Sequence, residues 1–238
     1  MGEHAQRRLL RKLDLELFLS QIKPHPDPKA NLEQYTITET VAATMLYIAA
    51  YVYDDVIGKT VLDLGCGTGR LALGASLLGA DMVVGVDIDK SAIVAASKNA
   101  KETGLKERAQ WVTGDISAIT GNFDTVLQNP PFGVQTRSAD RKFLEKALAA
   151  GHSLYSLHNH PTLDRQLIAR LKASGEQCLQ IPASSFIKNY VEKYGGRVQA
   201  AYALLMSIPR IFDFHTKARH DFVVDLYVIR SENRFDIA

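Results

Sequence analysis

The chain has 238 residues, of which 46% are hydrophobic and 23% are charged, which excludes a disordered, collagen-like or low-complexity protein. The length allows one or two domains, the net charge of +2 leans only mildly toward anionic partners, and the two cysteines cannot build a disulfide framework. No apolar run reaches the roughly 18 residues that cross a bilayer and no secretory signal is recognisable, so we expect a cytoplasmic protein with no membrane attachment.

The N-terminal region predicts an amphipathic helix and a linker. Residues 6–22 place leucines at helical spacing beside a basic face, and residues 24–28 contain three prolines, which break a helix. The basic face is either the solvated side of a helix that docks on the domain or an arm that binds phosphates. We therefore assign residues 1–30 to a basic helix with a Pro-rich linker, and residues 31–238 to a single domain.

The rest of the chain alternates short apolar strands with helices. The predicted strands are residues 60–64, 82–87, 109–113, 124–128, 152–157 and 178–181, and the predicted helices are residues 38–53, 70–78, 91–104, 137–150 and 164–173. This α/β alternation is typical of parallel βαβ units in a Rossmann-like, doubly wound sheet. Residues 198–208 and 221–229 alternate apolar positions with no useful helix between them, which predicts a C-terminal antiparallel hairpin. Residues 183–197 are extra length without an assigned role.

A glycine-rich loop follows the first predicted strand. Gly65 and Gly67 let the backbone approach a ligand without a Cβ in the way, and Asp87, at the end of the next strand, is placed to hold ribose hydroxyls. Asp63 precedes the loop, where a carboxylate would repel a pyrophosphate but attract an amino group. This pattern favours S-adenosylmethionine over a nicotinamide cofactor. The plain alternative is a tight turn of a Rossmann-like fold.

A second motif, Asn129-Pro130-Pro131-Phe132, follows the fourth predicted strand, at the edge where doubly wound sheets bind ligands. The Asn129 amide oxygen and the Pro130 carbonyl can accept both N–H bonds of a planar amine, while Phe132 stacks on its ring. Such hydrogen bonds favour a pyramidal nitrogen facing a methyl donor. Transfer then depends on positioning and needs neither a metal nor a strong base. The alternative is a stiff turn without a chemical role.

These motifs resemble those of class I S-adenosylmethionine-dependent methyltransferases. Residues 63–69 are similar to the cofactor loop of that family, and residues 114–116 to its adenine-binding motif. The resemblance implies a class I methyltransferase fold and Asn129, Pro130, Pro131 and Phe132 as the catalytic residues. It implies a cofactor site formed by Gln34, Thr36, Asp63, Gly65, Gly67, Thr68, Asp87, Ile88, Asp115, Ile116 and Asn129.

The Asn-Pro-Pro-Phe motif alone leaves the acceptor open, because related motifs serve adenine N6, cytosine N4 and the glutamine side-chain amide. Residues 32–35, 155–158 and 212–217, and the strand 223–226, resemble the archaeal and eukaryotic small-subunit rRNA adenine-N6 methyltransferases. That resemblance implies an rRNA substrate, closure of Gln34 over the methionine end of the cofactor, and a small zinc-binding activator subunit paired along a sheet edge. The chain departs from the family pattern at Ile37, so Thr36 or Thr38 would replace a threonine contact, and at Asn159, which replaces a basic residue.

Two alternative functions stay open. One is a protein glutamine N5-methyltransferase acting on a translation factor or ribosomal protein, and the other is a nucleic-acid-binding module without chemistry. We expect no metal site, although His158 and His160 lie close in sequence. RNA binding with a steep salt dependence is expected if basic residues gather beside Asn129. The residues concerned are Arg7, Arg8, Arg11, Lys12, Lys188, Lys193, Arg197, Arg210, Lys217 and Arg219.

Overall fold

The computed structural model describes residues 9–29, 32–34, 36–132, 139–162, 164–173, 177–209 and 219–232. Within these ranges the helices are α1 (Lys12–Ser20), α2 (Glu39–Tyr47), α3 (Arg70–Leu78), α4 (Lys90–Glu102), α5 (Ala139–Ala150), α6 (Arg165–Ala173) and α7 (Ser185–Lys193). The strands are β1 (Thr60–Leu64), β2 (Met82–Asp87), β3 (Gln110–Thr113), β4 (Phe123–Gln128), β5 (Gly151–Asn159), β6 (Cys178–Ile181), β7 (Gly196–Pro209) and β8 (Arg219–Ser231). A π-helical turn, Ile48–Val52, continues α2. None of the helices in these ranges has the length and apolar character of a membrane span.

The strands form one sheet in the order β3-β2-β1-β4-β5-β8-β7-β6. Strands β1 to β5 pair in parallel, and β8 pairs antiparallel with both β5 and β7. This topology confirms the predicted doubly wound sheet with a C-terminal antiparallel hairpin. Residues 178–181 form the predicted strand, but it lies outside the parallel part of the sheet. Because β8 occupies the edge of β5, β6 pairs antiparallel with β7 instead.

Helices cover both faces of the sheet, because side chains alternate between the faces along each strand. Val61 contributes to the core under α1, α2 and α3, whereas its neighbour Leu62 contributes to the core under α5 and α7. Helix α6 packs on the latter face through a smaller cluster with β7 and β8. The unassigned residues 183–197 therefore contain a structural element, α7, whose Ile187 and Val191 are buried.

Helix α1 packs against α2 and α3. Leu15 and Leu19 form its buried face, whereas Leu13 and Leu17 are 59% and 57% exposed. Leu13 and Leu17, two of the leucines at helical spacing, therefore face solvent. The core-facing row of α1 is formed instead by Leu15 and Leu19. These two residues are also four positions apart, so they lie on one side of the helix. The domain boundary at residue 30 stays a prediction.

A buried polar cluster lies at the end of the sheet where β4 and β5 begin. The Asp55 carboxylate accepts hydrogen bonds from the Tyr155 hydroxyl at 2.5 Å and the Ser153 hydroxyl at 3.0 Å, and pairs with Arg230 at 2.6 Å. A largely buried carboxylate needs such partners, since desolvation penalises its charge. The cluster ties the turn before β1 to β5 and β8.

Candidate active site

A cavity of about 290 Å³ opens at the carboxyl ends of the parallel strands. The register aligns Leu64 of β1 with Val86 of β2 and Gln128 of β4, so the residues that follow these strands meet at one edge. All the predicted cofactor-binding residues line this cavity, namely Gln34, Thr36, Asp63, Gly65, Gly67, Thr68, Asp87, Ile88, Asp115, Ile116 and Asn129. Their contacts with a ligand stay a prediction.

The four motif residues divide between two cavities. Asn129 and Pro131 line the first cavity, and Phe132 lines a second one of about 220 Å³. Pro130 is buried and lines neither of the two, which leaves only its carbonyl as a group that could reach a ligand. Phe132 contacts Phe222 of β8 edge to face, with ring centroids 6.2 Å apart. The motif thus contributes residues to both cavities.

The glycine loop needs glycine for both conformation and space. Gly65 and Gly69 have φ angles of 69° and 86°, in the left-handed region that favours glycine. A Cβ on Gly65 would lie 2.8 Å from the Phe143 ring, and one on Gly69 would lie 2.5 Å from the Trp111 ring. The loop therefore packs against two aromatic side chains from distant parts of the chain.

Asp63 is a buried carboxyl that caps α3. Its Oδ2 accepts a hydrogen bond from the Ala72 N–H at 2.9 Å, which caps an otherwise unpaired donor in the first turn of α3. Burial raises the pKa of Asp63 to about 7, and the nearby negative charge of Asp87 adds to the increase. Because its pKa lies near neutral pH, a cationic group that binds beside this carboxyl would favour its ionised form and be attracted by it.

Asp87 ties the loop to β2. Its Oδ2 accepts from the Gly67 N–H at 2.8 Å and its Oδ1 accepts from the Asp89 N–H at 2.9 Å. Burial raises the pKa of Asp87, and these two hydrogen bonds oppose the increase. Each carboxylate oxygen has a further lone pair, so the side chain can still accept from ribose hydroxyls.

The segment of residues 23–37, here called the strap, contributes Gln34 and His25 to the cavity. Gln34 Nε2 donates to Asp89 Oδ2 at 2.9 Å, and Gln34 Oε1 accepts from the Lys29 N–H at 2.7 Å. His25 Nε2 lies 3.3 Å from the same Asp89 carboxylate. Burial disfavours the charge of Asp89, but hydrogen bonds from Gln34, Ser91 and Lys29 hold its pKa well below the ordinary value. The strap is therefore anchored at the start of α4.

Arg70, which the sequence analysis missed, anchors both ends of the strap. Its guanidinium donates to the backbone oxygens of Ile22 and Ile37, and it lines the cavity. Its buried Nε has no hydrogen-bond partner among the residues that the structure describes. The position directly after Gly69 could have indicated Arg70. Phe143, a further cavity residue, carries no such local signal, since α5 follows far along the chain.

The other predicted groups are not drawn into this cavity. His158 Nε2 lies 2.8 Å from the Ser156 hydroxyl, and His160 Nδ1 lies 2.8 Å from Asp225. The described residues contain no group of three or more side chains suited to a metal ion. Arg11 pairs with Asp14 and Lys12 with Glu16, both within α1. Residues 1–8, Tyr35 and residues 210–218, and the side chain of Arg219, lie outside the described residues.

The cavity fits S-adenosylmethionine. Asp63 suits its ammonium group, Asp87 its ribose, and Asp115 with the apolar Ile88 and Ile116 its adenine. The unpartnered Nε of Arg70 offers a donor and a positive charge to the carboxylate. A pyrophosphate would instead face the buried carboxyls of Asp63 and Asp87, which disfavours a nicotinamide or nucleotide cofactor.

Comparisons with known proteins identify relatives of this chain. The family profile of ribosomal protein L11 methyltransferase (PrmA) matches residues 38–130. An uncharacterised Methanocaldococcus jannaschii protein is 39% identical over 88% of this chain and 89% of its own length. The rRNA N6-adenosine-methyltransferase METTL5 of Danio rerio is 32% identical over 89% of this chain and 95% of its own length.

A solved structure extends the similarity to the whole fold. The crystal structure of a candidate RNA methyltransferase from Pyrococcus horikoshii superposes with a TM-score of 0.77 at 34% identity, and covers 94% of this chain and 99% of its own. Sequence and fold similarity therefore both span nearly the full chain, including the residues beyond the cofactor half. The chain belongs to the family of METTL5-type rRNA N6-adenosine-methyltransferases, with the class I methyltransferase fold.

Proposed function

We propose that this protein is an S-adenosylmethionine-dependent methyltransferase that methylates N6 of an adenine in RNA, with ribosomal RNA as its substrate. One observation carries the proposal. Asn129 and Pro131 of the amine-binding motif line the same cavity as Asp63 and Asp87 of the cofactor loop. Methyl donor and acceptor amine would therefore meet at one edge of the sheet.

The residues present account for the chemistry by positioning. When bound, S-adenosylmethionine supplies an electrophilic methyl group on a sulfonium. The Asn129 amide oxygen and the Pro130 carbonyl accept hydrogen bonds from the amino group of the adenine, and Phe132 packs on the ring. The lone pair of the amino nitrogen therefore faces the methyl donor. The amide of Asn129 is not basic, so the proton released from nitrogen passes to water. The adenine must leave its stack in the RNA to reach Asn129 and Pro130, as in other nucleobase-modifying enzymes.

The extent of the similarities supports RNA over a protein amide as the acceptor. The rRNA N6-adenosine-methyltransferase of Danio rerio aligns with 89% of this chain. The L11 methyltransferase profile, from a protein-directed enzyme, ends at residue 130, inside the motif and before most acceptor-side residues. That profile therefore supports a protein acceptor only through the cofactor half, and its name does not specify glutamine.

A methylation assay tests the proposal. Protein, tritiated S-adenosylmethionine and either total RNA or ribosomal proteins are incubated and then digested with ribonuclease or protease. We expect label in N6-methyladenosine. Asn129→Ala should lower kcat by about 100-fold while leaving cofactor affinity nearly unchanged, since the other residues of the cofactor site are kept. The matched control is Asn122→Ala, at an exposed residue before β4. Label that resists ribonuclease but is lost to protease would refute the RNA assignment.

We further propose that the enzyme works on ribosomal RNA in the cytoplasm.

We also propose that a small zinc-binding subunit pairs with β3. The family resemblance implies this partner, and β3 lies at one edge of the sheet. Val112 on β3 and Val94 on α4, which packs against β3, are 39% and 61% exposed. The enzyme purified alone should aggregate, and Val94→Lys should reduce that aggregation. An active, monodisperse, heat-stable monomer would contradict an obligate partner.

A further inference from the structure

The second cavity shares the motif with the first cavity and is not explained by cofactor binding. Its lining combines Phe132 with the end of β5, the start of α7 and Tyr227 of β8. We propose that α7 is an RNA-recognition element that, together with Phe132, encloses the ring of the acceptor adenine in this cavity. Phe186 packs on the base and Arg141 pairs with a neighbouring phosphate. The inference rests on the proposed function and assigns a role to the extra length of residues 183–197.

Helix α7 presents an aromatic side chain to the cavity. Its Ile187 and Val191 are buried, whereas Phe186 is 49% exposed and lines the cavity. Tyr190, one turn further along, stacks on Phe186 with ring centroids 5.9 Å apart and 26° between the planes. A single exposed phenylalanine is ordinary on a protein surface. One that is backed by a second ring and faces a cavity is a ready platform for a nucleobase.

A cation accompanies this aromatic pair. The Arg141 guanidinium lies 5.1 Å from the centre of the Phe186 ring and belongs to the first turn of α5. Proteins that bind unstacked RNA bases combine such aromatic faces with cations that hold the backbone. When Arg141 leaves the Phe186 ring to pair with a phosphate, the ring face that it covers becomes available to the base. The pair then offers both contacts that one nucleotide needs, a surface for its base and a charge for its phosphate.

His158 and Asp140 line the cavity, and a buried hydrogen-bond chain links His158 to the residue before the motif. Gln128, directly before Asn129, donates from Nε2 to the Ser156 hydroxyl at 2.8 Å, and that hydroxyl lies 2.8 Å from His158 Nε2. The Ser156 hydroxyl is then free to donate to His158, which places the His158 proton on Nδ1, 3.9 Å from Asp140. A donor and an acceptor on one wall suit the ring edge of a purine.

The dimensions favour a nucleobase over a side-chain amide. A cavity of about 220 Å³ with aromatic residues in its lining accommodates a fused planar ring, whereas a glutamine side chain would leave much of it empty. Stacking on an aromatic side chain contributes about 1–3 kcal/mol per base, and an amide lacks a comparable ring face. The second cavity therefore selects the acceptor, while the first cavity binds the donor.

Kinetics of α7 variants test this assignment. Phe186→Ala should raise KM for ribosomal RNA by about 5- to 100-fold, the loss expected for one stacked base, with the Kd of S-adenosylmethionine unchanged. Phe186→Leu, which keeps the apolar volume but lacks the ring, should show most of the same loss, whereas Phe186→Tyr should retain wild-type KM. The control is Leu17→Ala, a similarly exposed apolar residue on α1, on the other face of the sheet. An unchanged KM in Phe186→Ala, or an equal increase in Leu17→Ala, would overturn the proposal.

The phosphate contact has its own readout. Arg141→Gln should weaken RNA binding and reduce the slope of log affinity against log salt concentration by about 0.7, the value for one phosphate of a single strand. Arg108→Gln, at an exposed residue shortly before β3 on the opposite edge of the sheet, is the matched control and should leave the slope unchanged. A slope that Arg141→Gln leaves unchanged would remove Arg141 from the proposal.

A direct binding experiment separates this inference from the proposed function. The protein saturated with S-adenosylhomocysteine is titrated with 2-aminopurine riboside, whose fluorescence falls when the base stacks. Quenching in the wild type that is lost in Phe186→Ala supports the base site, even if no RNA becomes methylated and the proposed function fails. Formation of N6-methyladenosine without quenching would overturn the base site alone. Displacement of the riboside by N-acetylglutaminamide would also overturn it, because the cavity would then accept an amide.

Discussion

The buried carboxyl of Asp63 should couple cofactor binding to proton release. Burial raises its pKa to about 7, and only the ionised carboxylate attracts the ammonium group of S-adenosylmethionine. At pH 6 about one molecule in ten carries the charge, and at pH 8 about nine in ten do. The Kd for S-adenosylmethionine should therefore be about tenfold weaker at pH 6 than at pH 8, through this group alone.

The matched variant for this test is Asp63→Asn. The asparagine oxygen can still accept from the Ala72 N–H, so the cap of α3 is kept while the titrating charge is lost. Calorimetry at pH 6, 7 and 8, in buffers of different ionisation enthalpy, measures both Kd and the protons released. The α-amino group of the ligand also titrates, near pH 7.7–8.0, but it does so with both proteins, so their difference isolates Asp63.

We expect Asp63→Asn to bind S-adenosylmethionine about 10- to 100-fold more weakly than the wild type at pH 8, as for loss of a charged hydrogen bond. The difference between the two proteins should shrink toward pH 6 as wild-type Asp63 becomes protonated. Proton release and a pH dependence that are identical in both proteins would refute a direct contact between Asp63 and the ammonium group.

Three further variants test the structure around this site. Gln34→Ala removes one anchor of the strap, so the Kd of S-adenosylmethionine should rise about 5- to 20-fold with little change in Tm, as for loss of about one to two hydrogen bonds. An unchanged Kd would show that the Gln34 side chain is not needed to hold the strap over the cofactor. Gly85→Ala places a Cβ 2.6 Å from the Trp111 ring, and urea unfolding should show a loss of about 1–3 kcal/mol; wild-type stability would contradict this tight packing. Asp55→Asn leaves the largely buried Arg230 without its carboxylate, so the free energy of unfolding should fall by about 3–5 kcal/mol. A loss below about 1 kcal/mol would show that this ion pair contributes no more than an exposed one.

The stability of the free protein supplies an independent check on Asp63. A carboxyl whose pKa is raised in the folded state stabilises the fold below its unfolded pKa, and that contribution disappears as the pH rises through about 7. Between pH 5 and pH 8 the wild type should lose about 2–3 kcal/mol more unfolding free energy than Asp63→Asn. Parallel pH profiles of the two proteins would contradict a raised pKa.

Much of the site could be predicted from the sequence because its parts follow strands. Apolar runs with β-branched residues mark β1, β2 and β4, and parallel pairing brings their carboxyl ends to one edge. Asp63, Asp87 and Asn129 are close in space for that reason alone, although 66 residue positions separate the first from the last. The spacing of the glycines indicated the left-handed turns directly.

The features that the sequence did not reveal depend on tertiary packing. The edge position of β6 follows from the place of β8 beside β5, which no local pattern encodes. Arg70 and Phe143 reach the cavity through contacts with remote segments, and the leucines of α1 could face the core in either of two rows. Helix α7 is short but clearly amphipathic, and its buried Ile187 and Val191, four residues apart, are a local signal that the sequence analysis missed.

The most direct test of the central claim is nucleoside mass spectrometry after incubation with S-adenosylmethionine carrying a deuterated methyl group. Ribosomal RNA treated with the wild type should yield deuterated N6-methyladenosine, and RNA treated with Asn129→Ala should yield almost none. Deuterium found in a protein glutamine side chain, with none in adenosine, would contradict the account.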